Sequence, residues 1–554
     1  MKSFIAKFRV KKTPEEKRIL RKERLLAIFS GLLFGLAFPP LPFPYLIFVA
    51  LIPYLIVVSK RETLAEINRV TYLTSFVFTL TTLYWVGSWT KEADPFLMIS
   101  GVLLMFVNPA VYLIPATLYY FAKKIFNRKI AFFLLPFFWV ALEYAYSLTD
   151  LRFPWLTLAN SLPKFNLFIQ IADIIGAYGI SLLVLYINLF LFLALREFID
   201  NRKFSLKFLL IALIIFLVPV IYGAVRIKTF KMPEENVKVG LIQPNLNPWD
   251  KWQAGNLDEQ LEMYLELSRK AVKKNAKIII WPESALPVYL LVGNYFTQVN
   301  RIQNFADSND VFIMTGMPDA NFYFDKSEAP PDAKYSKAIN MYYVSYNSIL
   351  LFSPQSSQVQ KYAKIKLVPF GEKVPFVEHL PFLGNFIKWQ VGISSWNVGT
   401  KQNVFDFVEG IQLKVGGVIC IESIYPDFVA GFVQNGANII AVVTNDSWYG
   451  YSSGPFQHKE ISALRAIENR RFVVRAANGG LSAIIDPLGR TVMQTKLFER
   501  DVIVGNAGIN NTLTIYSKYP LVIPLLCSLI SLVMIITYTV KKIIYKVNKK
   551  NEAN

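Results

Sequence analysis

The feature that most constrains this chain is the distribution of its apolar residues. Seven long apolar runs crowd into the first part, at about 24–39, 42–59, 70–88, 96–122, 130–148, 170–195 and 207–226, and an eighth lies at about 519–540. A helix that crosses a bilayer needs roughly 20 mostly apolar residues. In lipid only helices and closed barrels satisfy every backbone polar group. The runs therefore predict about eight transmembrane helices. Between 232 and 519 the pattern changes to short apolar runs alternating with amphipathic stretches, as in an ordinary globular domain.

Charge divides the chain in the same way. The net charge is +20, yet residues 232–519 hold 27 Lys/Arg against 26 Asp/Glu, so nearly all the excess lies in the apolar part. A nucleic-acid binder concentrates basic residues on its folded domain, so no nucleic-acid partner is expected. Positive charge beside membrane spans marks cytoplasmic loops. The loops "SKRETLAEINR", "KKIFNRK" and "REFIDNRKFSLK" and both chain ends are basic, whereas the alternate loop "SWTKEAD" is not. Both termini are therefore expected in the cytoplasm, and the globular region on the other side of the membrane. The stretch before the first run has ten basic residues and no small-residue cleavage site, so it reads as a retained tail. The expected organisation is a basic cytoplasmic tail (1–23), a membrane domain of seven helices (24–231), a globular domain (232–518), an eighth helix (519–540) and a second basic tail (541–554).

Ionisable residues inside the apolar runs are few. Glu143 and Asp173 stand out, and such residues are functional candidates by default. Glu143 also reads as a helix-end residue that pairs with Arg152 or snorkels. So few buried charges suggest a scaffold or lipid-facing platform. A transporter with a merely structural outer domain is the competing reading.

The chain has two cysteines and two histidines. Cys527 falls in the last apolar run and Cys420 in the globular region, so no disulfide is expected. Two histidines argue against a multi-His metal site. No metal or nucleotide motif is present, and no cofactor is expected.

In the globular region "VKVGLIQPN", "AKIIIWPES", "VFIMTGMP", "NSILLFS", "LKVGGVICIES" and "NIIAVVTNDSWYG" read as strands. Residues 257–274 and "FQHKEISALRAIENRR" read as helices. Such alternation predicts an α/β fold. Three segments place a reactive group after an apolar run: "WPES" a carboxylate, "KIKLVPFGEKVPF" a lysine and "VGGVICIES" a thiol. Strand ends are where rigid sheets present functional groups. A carboxylate base, a lysine cation and a thiol nucleophile would suffice for acyl transfer without histidine. Pattern alone does not assemble them, and a Cys in "VICI" reads equally as a small buried hydrophobe.

The motifs "WPES" (281–284), "KYAKIKLVPFGEKVP" (361–375) and "GVICIE" (417–422) resemble the three signature regions of the nitrilase, or carbon–nitrogen hydrolase, superfamily. Together with "FPWLTLANS" (153–161), "NDSWYGYSSGPFQH" (445–458) and the membrane runs, they make the chain similar to the apolipoprotein N-acyltransferase family. The resemblance implies an αββα sandwich, giving a multi-span α-helical membrane domain plus a nitrilase-like α/β domain. It implies Glu283 as general base, Lys364 as the cation for the oxyanion and Cys420 as nucleophile. Lys366 competes for the lysine role, although Tyr362, Lys364 and Leu367 match the family's spacing. Glu372 and Glu422 match supporting carboxylates, and Trp252 and Asn347 match positions near the substrate. Ile421 stands where relatives often carry an aromatic residue, and Lys366 where many carry histidine.

The resemblance further implies an enzyme of the bacterial inner membrane with its catalytic domain on the periplasmic side, expected as a monomer. Its partners would be a phospholipid acyl donor, the diacylglyceryl-cysteine of an apolipoprotein as acceptor, and membrane lipid. A thioester on Cys420 would link the two half-reactions. A membrane-tethered amidase with the same triad is the alternative, and a Cys–His pair using His458 another. Two apolar stretches, 286–296 and 379–389, are expected to act as mobile arms toward lipid. Replacing Leu290 and Leu291 by Asp is expected to abolish transfer and spare the fold.

Overall fold

The computed structural model describes residues 13–203, 205–249, 257–337, 339–376, 396–407 and 412–553. Trp252, the 379–389 stretch and most of the first basic tail lie outside the described residues.

Among the described residues, five helices are long and apolar enough to cross a membrane: Pro95–Ile125, Arg128–Leu148, Ala172–Asn201, Leu206–Thr229 and Val522–Glu552. Two further helices, Pro14–Ala37 and Leu64–Leu83, pack against each other. Both begin with a capping box, Thr13 with Glu16 and Thr63 with Glu66, which satisfies amides that the first turn leaves unpaired. The expected span at 42–59 is not one helix. A 3-10 turn at Pro44–Phe48 is followed by a short helix at Ile52–Val58, each with a proline at its start, where the missing N–H is tolerated. Helix Ala172–Asn201 is interrupted at Gly176, whose φ of +64° is open to glycine. A Cβ there would lie 2.2 Å from the ring of Tyr516.

The two intramembrane carboxylates are structural ties. Glu143 is buried and accepts the Leu158 N–H at 3.0 Å, so its partner is the loop after its own helix and not the expected Arg152. Asp173 accepts from Tyr222 Oη at 2.7 Å, Arg226 Nε at 3.0 Å and Arg470 Nε at 2.9 Å. Arg470 belongs to the globular region, so this buried cluster locks the two parts together.

The globular region contains strands β1 (Asn236–Gln243), β2 (Ile278–Trp281), β3 (Phe312–Tyr323), β4 (Lys334–Ser336), β5 (Met341–Phe352) and β6 (Gln360–Ala363). They are followed by β7 (Val404–Phe407), β8 (Leu413–Ile419), β9 (Ile439–Thr444), β10 (Phe472–Ala477), β11 (Ala483–Ile485), β12 (Thr491–Gln494) and β13 (Asp501–Gly508). One sheet has the order β13-β1-β2-β3-β5-β4, with β6 also on β5, and the other β12-β11-β10-β9-β8-β7. Parallel pairing at β1–β2–β3 and β8–β9–β10 explains the continuous apolar runs, since these strands are covered on both faces. Alternation along β2 is explicit. Ile278 and Ile280 join the core between the sheets, whereas Ile279 and Trp281 pack under helices Leu257–Val272 and Phe296–Asn309. Helices Pro426–Gln434 and Gly454–Asn469 cover the second sheet. The result is the expected αββα sandwich.

Helix Gly454–Asn469 reads as amphipathic in sequence but is buried almost all round. The membrane part covers its outer face, and Glu468 accepts the Ala177 N–H at 2.8 Å. The expected arm at 286–296 is partly core. Leu286 and Leu290 are buried with the first sheet's outer face, and Leu291 packs against the same cluster. Asp at 290 would therefore disrupt the fold rather than spare it. Tyr289, Val292 and Tyr295 instead line an apolar hollow that reaches Trp396.

Candidate active site

The strand ends named from sequence converge. Glu283 follows β2, where Ser284 turns the chain with φ +51°. Gly316 on β3 permits this turn, since a Cβ there would sit 2.6 Å from Glu283 Cα and 2.7 Å from the Pro282 carbonyl oxygen. Pairing of Ser348 with Ala363 aligns β6 on β5, and the Lys364 N–H then donates to the Asn347 carbonyl at 2.8 Å. Cys420 follows β8 and opens a 3-10 turn at Cys420–Ile424 with φ +49°. That left-handed conformation is uncommon for a non-glycine residue.

One cavity is lined by Glu283, Asn347, Lys364, Glu372 and Cys420 together with Trp249, Trp396, Trp448 and Tyr449. Leu97, from the membrane helix that starts at Pro95, lines it too. Lys364 is buried and its Nζ lies 3.2 Å from Glu283 Oε1 and 2.8 Å from Glu372 Oε1. Asn347 Nδ2 donates to the same two oxygens at 2.7 and 2.9 Å. Glu283 Oε2 accepts the Asn445 N–H at 3.0 Å, and Glu372 Oε2 the Val368 N–H at 2.8 Å.

Electrostatics follow from this packing. Burial pulls the Lys364 ammonium toward neutrality, but Glu283 and Glu372 more than compensate and hold it well above the ordinary lysine value. Burial pushes the Cys420 thiol well up, the charge of Glu283 adds to this, and Lys364 opposes it. Cys420 therefore rests as a thiol. The arrangement favours proton removal during attack over a standing thiolate.

Glu422 touches other groups. Its Oε1 accepts from Tyr362 Oη at 2.7 Å and from the N–H groups of Ile365 and Lys366 at 2.7 and 3.1 Å. Its Oε2 accepts the Ile419 N–H at 2.9 Å. It thus ties the segment carrying Lys364 to the strand end carrying Cys420. Burial pushes its carboxyl up to about 7, against the pull of these donors and Lys364. Lys366, the competing lysine, lies over the rings of Tyr425 and Phe428.

His458 is a neighbour of Cys420, but through the backbone. Its Nε2 is 3.1 Å from the Cys420 carbonyl oxygen and 2.8 Å from Ser423 Oγ. Nδ1 faces Asp446 Oδ1 at 2.9 Å and Arg475 at 3.1 Å. Asn445 and Asp446 went unread as site residues in the sequence, although the polar residues 444–446 directly after the apolar run 439–443 were a usable signal.

Comparison with known proteins matches this architecture. Residues 238–510 match the carbon–nitrogen hydrolase family and residues 30–190 the apolipoprotein N-acyltransferase N-terminal domain. An apolipoprotein N-acyltransferase of Chlorobaculum tepidum is 32% identical over 535 residues, 95% of this chain and 98% of that protein. One from Geobacter metallireducens is 31% identical over 92% of this chain and 94% of its own length. One from Rickettsia typhi is 33% identical over 87% and 92%. Identity at this level along nearly the full length of each relative shows that the chain belongs to the apolipoprotein N-acyltransferase family.

Proposed function

We propose that this protein moves an acyl chain from a membrane phospholipid to the α-amino group of the N-terminal diacylglyceryl-cysteine of an apolipoprotein. The observation that carries this reading is the shared cavity. A carboxylate, a buried ammonium and a thiol line it together with Leu97 of a membrane helix. Both substrates hold acyl chains anchored in the bilayer, and exposing a chain to water costs about 0.8 kcal/mol per methylene. The reacting thiol must therefore meet the lipid at the membrane.

In the first half-reaction Cys420 Sγ attacks the ester carbonyl while Glu283 takes the thiol proton. The Lys364 ammonium and the Ile421 N–H stabilise the oxyanion. Collapse breaks the ester C–O bond, the proton passes to the leaving oxygen, and a lysophospholipid departs. In the second, the amine attacks the thioester, Glu283 takes its proton and returns it to sulfur, and the amide product leaves. Glu372 shares the charge of Lys364 and so keeps it protonated. Asn347 lies in the same cavity and contacts substrate, Trp252 matches a substrate-side position of the family by sequence, and the hollow lined by Tyr289, Val292 and Tyr295 receives apolar chain.

The same reading has the protein as a monomer in the bacterial inner membrane, with eight spans of which the second is the broken 44–58 segment, both termini cytoplasmic and residues 232–518 periplasmic. Purified protein, phospholipid and a diacylglyceryl-cysteinyl peptide test it. An N-acylated peptide plus lysophospholipid is expected. Release of free fatty acid without peptide acylation, or turnover of simple amides alone, would favour the membrane-tethered amidase.

A further inference from the structure

Cys420 holds a left-handed backbone, which is strained for a non-glycine residue and persists only where surroundings enforce it. Two side chains grip its carbonyl. Ser423 Oγ donates to it at 2.8 Å, and His458 Nε2 approaches it at 3.1 Å. A carbonyl oxygen only accepts, so a hydrogen bond to it uses an Nε2–H, while Nδ1 faces both the Asp446 carboxylate, an acceptor, and Arg475, a donor. The polar partners of the two ring nitrogens are the Cys420 carbonyl, Ser423, Asp446 and Arg475 rather than the thiol. Both of its nitrogens are held, and the Asp446–Arg475 ion pair beneath it is buried.

The membrane part holds the same ring. Trp155, in the loop after helix Arg128–Leu148, packs on His458 with centroids 5.4 Å apart. The preceding residue, Gln457, accepts through one oxygen from Trp155 Nε1 at 2.8 Å and Trp85 Nε1 at 3.1 Å. Its Nε2 donates to the Thr82 carbonyl at 3.2 Å. Trp85 and Trp155 also pack on each other at 4.9 Å. An unbroken chain of contacts runs from two membrane-part indoles through Gln457 and His458 to the nucleophile's carbonyl.

We propose that His458 is a positioning residue for Cys420, and that Trp85 and Trp155 hold it in place, so that the membrane part sets the geometry of thiol attack as well as anchoring the enzyme. This rests on the acyl-transfer reading above. A displacement of about 1 Å in a reacting group costs on the order of 100-fold in rate, so a loosened turn is expected to slow the first half-reaction without weakening lipid binding.

The test uses the full chain in lipid nanodiscs with excess phosphatidylethanolamine and no acceptor, following acyl mass on Cys420 by rapid quench and intact-mass spectrometry. Thermal midpoints identify which variants fold. His458→Ala and Trp155→Ala are each expected to lower the maximal acylation rate by ~10- to 100-fold, with the half-saturating lipid concentration unchanged. His458→Gln, which restores an N–H donor toward the carbonyl, is expected to recover most of that loss and to keep the wild-type acidic limb of the pH–rate profile. If His458→Ala does not fold, Trp155→Phe carries the test, since it keeps a ring and removes one donor to Gln457. A slowed rate there supports the proposal.

Wild-type acylation rates in folded His458→Ala or in Trp155→Phe would overturn it. So would a loss in His458→Gln as deep as in His458→Ala with the acidic limb gone, which would make His458 the base. A Trp155→Ala effect confined to the half-saturating concentration would make Trp155 a lipid contact and overturn the coupling. Wild-type protein that forms no thioester at all would instead contradict the acyl-transfer reading itself.

Discussion

The amide nitrogen of Asn347 lies 2.7 Å from Glu283 Oε1, and its other hydrogen serves Glu372 at 2.9 Å. Asn347 is therefore a neutral donor between two carboxylates that share one lysine. Asn347→Asp would replace that donor by a third negative charge. The added charge would repel both carboxylates and remove the hydrogen bonds that hold them on Lys364. Thioester formation should fall by at least ~10-fold at neutral pH, with Asn347→Ala less affected than Asn347→Asp. Wild-type rates in Asn347→Asp would show that this donor does not hold Glu283 for the reaction.

Lys364→Met leaves Glu283 and Glu372 buried with no cation between them. Removing one partner of a buried ion pair costs about 3–5 kcal/mol. The variant should show a lower thermal midpoint and no detectable thioester. Lys366→Met, which removes a contact with the rings of Tyr425 and Phe428 and a charge near Asp427 and Glu422, should retain thioester formation. Reversed phenotypes would reassign the lysine.

Gly316→Ala adds a methyl 2.6 Å from Glu283 Cα, closer than any relaxed contact, so the backbone at Glu283 must shift. Activity should fall by ~10-fold or more, while a spectroscopic fold signature is retained. Wild-type rates would mean that the position of Glu283 tolerates such displacement.

Glu422 gives a pH signature. Its folded pKa of about 7 lies above the ordinary carboxylate value of roughly 4.3. Between those values the native state holds a proton that the unfolded chain has released, so this group's contribution is full below the lower value and declines as pH rises toward 7. Glu422→Gln removes the titration. The thermal midpoint of wild type minus that of Glu422→Gln should shrink from pH 5 to pH 7.5. A difference that grows over this range would contradict the burial argument.

Much of the site was legible because strand ends announce themselves. Glu283 and Cys420 each follow an apolar run, and a rigid sheet fixes such ends in space, whereas Lys364 follows the half-polar strand Gln360–Ala363 and is marked only by its motif. Their convergence depends on the register of β5 with β6 and the stacking of two sheets, which no local pattern encodes. Helix Gly454–Asn469 was misleading for a related reason. Its polar residues, among them Gln457, His458 and Glu468, are buried because the membrane part covers them, and an amphipathic pattern does not distinguish a covered polar face from a solvated one. The 42–59 run was apolar enough to span, yet Pro44 and Pro53 start separate short turns. Glu143 found its partner in the Leu158 N–H, a backbone group that carries no sequence signal.

The most direct measurement is intact-mass and peptide mapping of the protein after incubation with phospholipid of a single acyl composition, without acceptor. A gain of one acyl group on Cys420, lost in Cys420→Ser and in Glu283→Gln and discharged by adding a diacylglyceryl-cysteinyl peptide, is the predicted result. No adduct under these conditions, or an acyl group on another residue that persists in Cys420→Ser, would contradict a thioester route through this site.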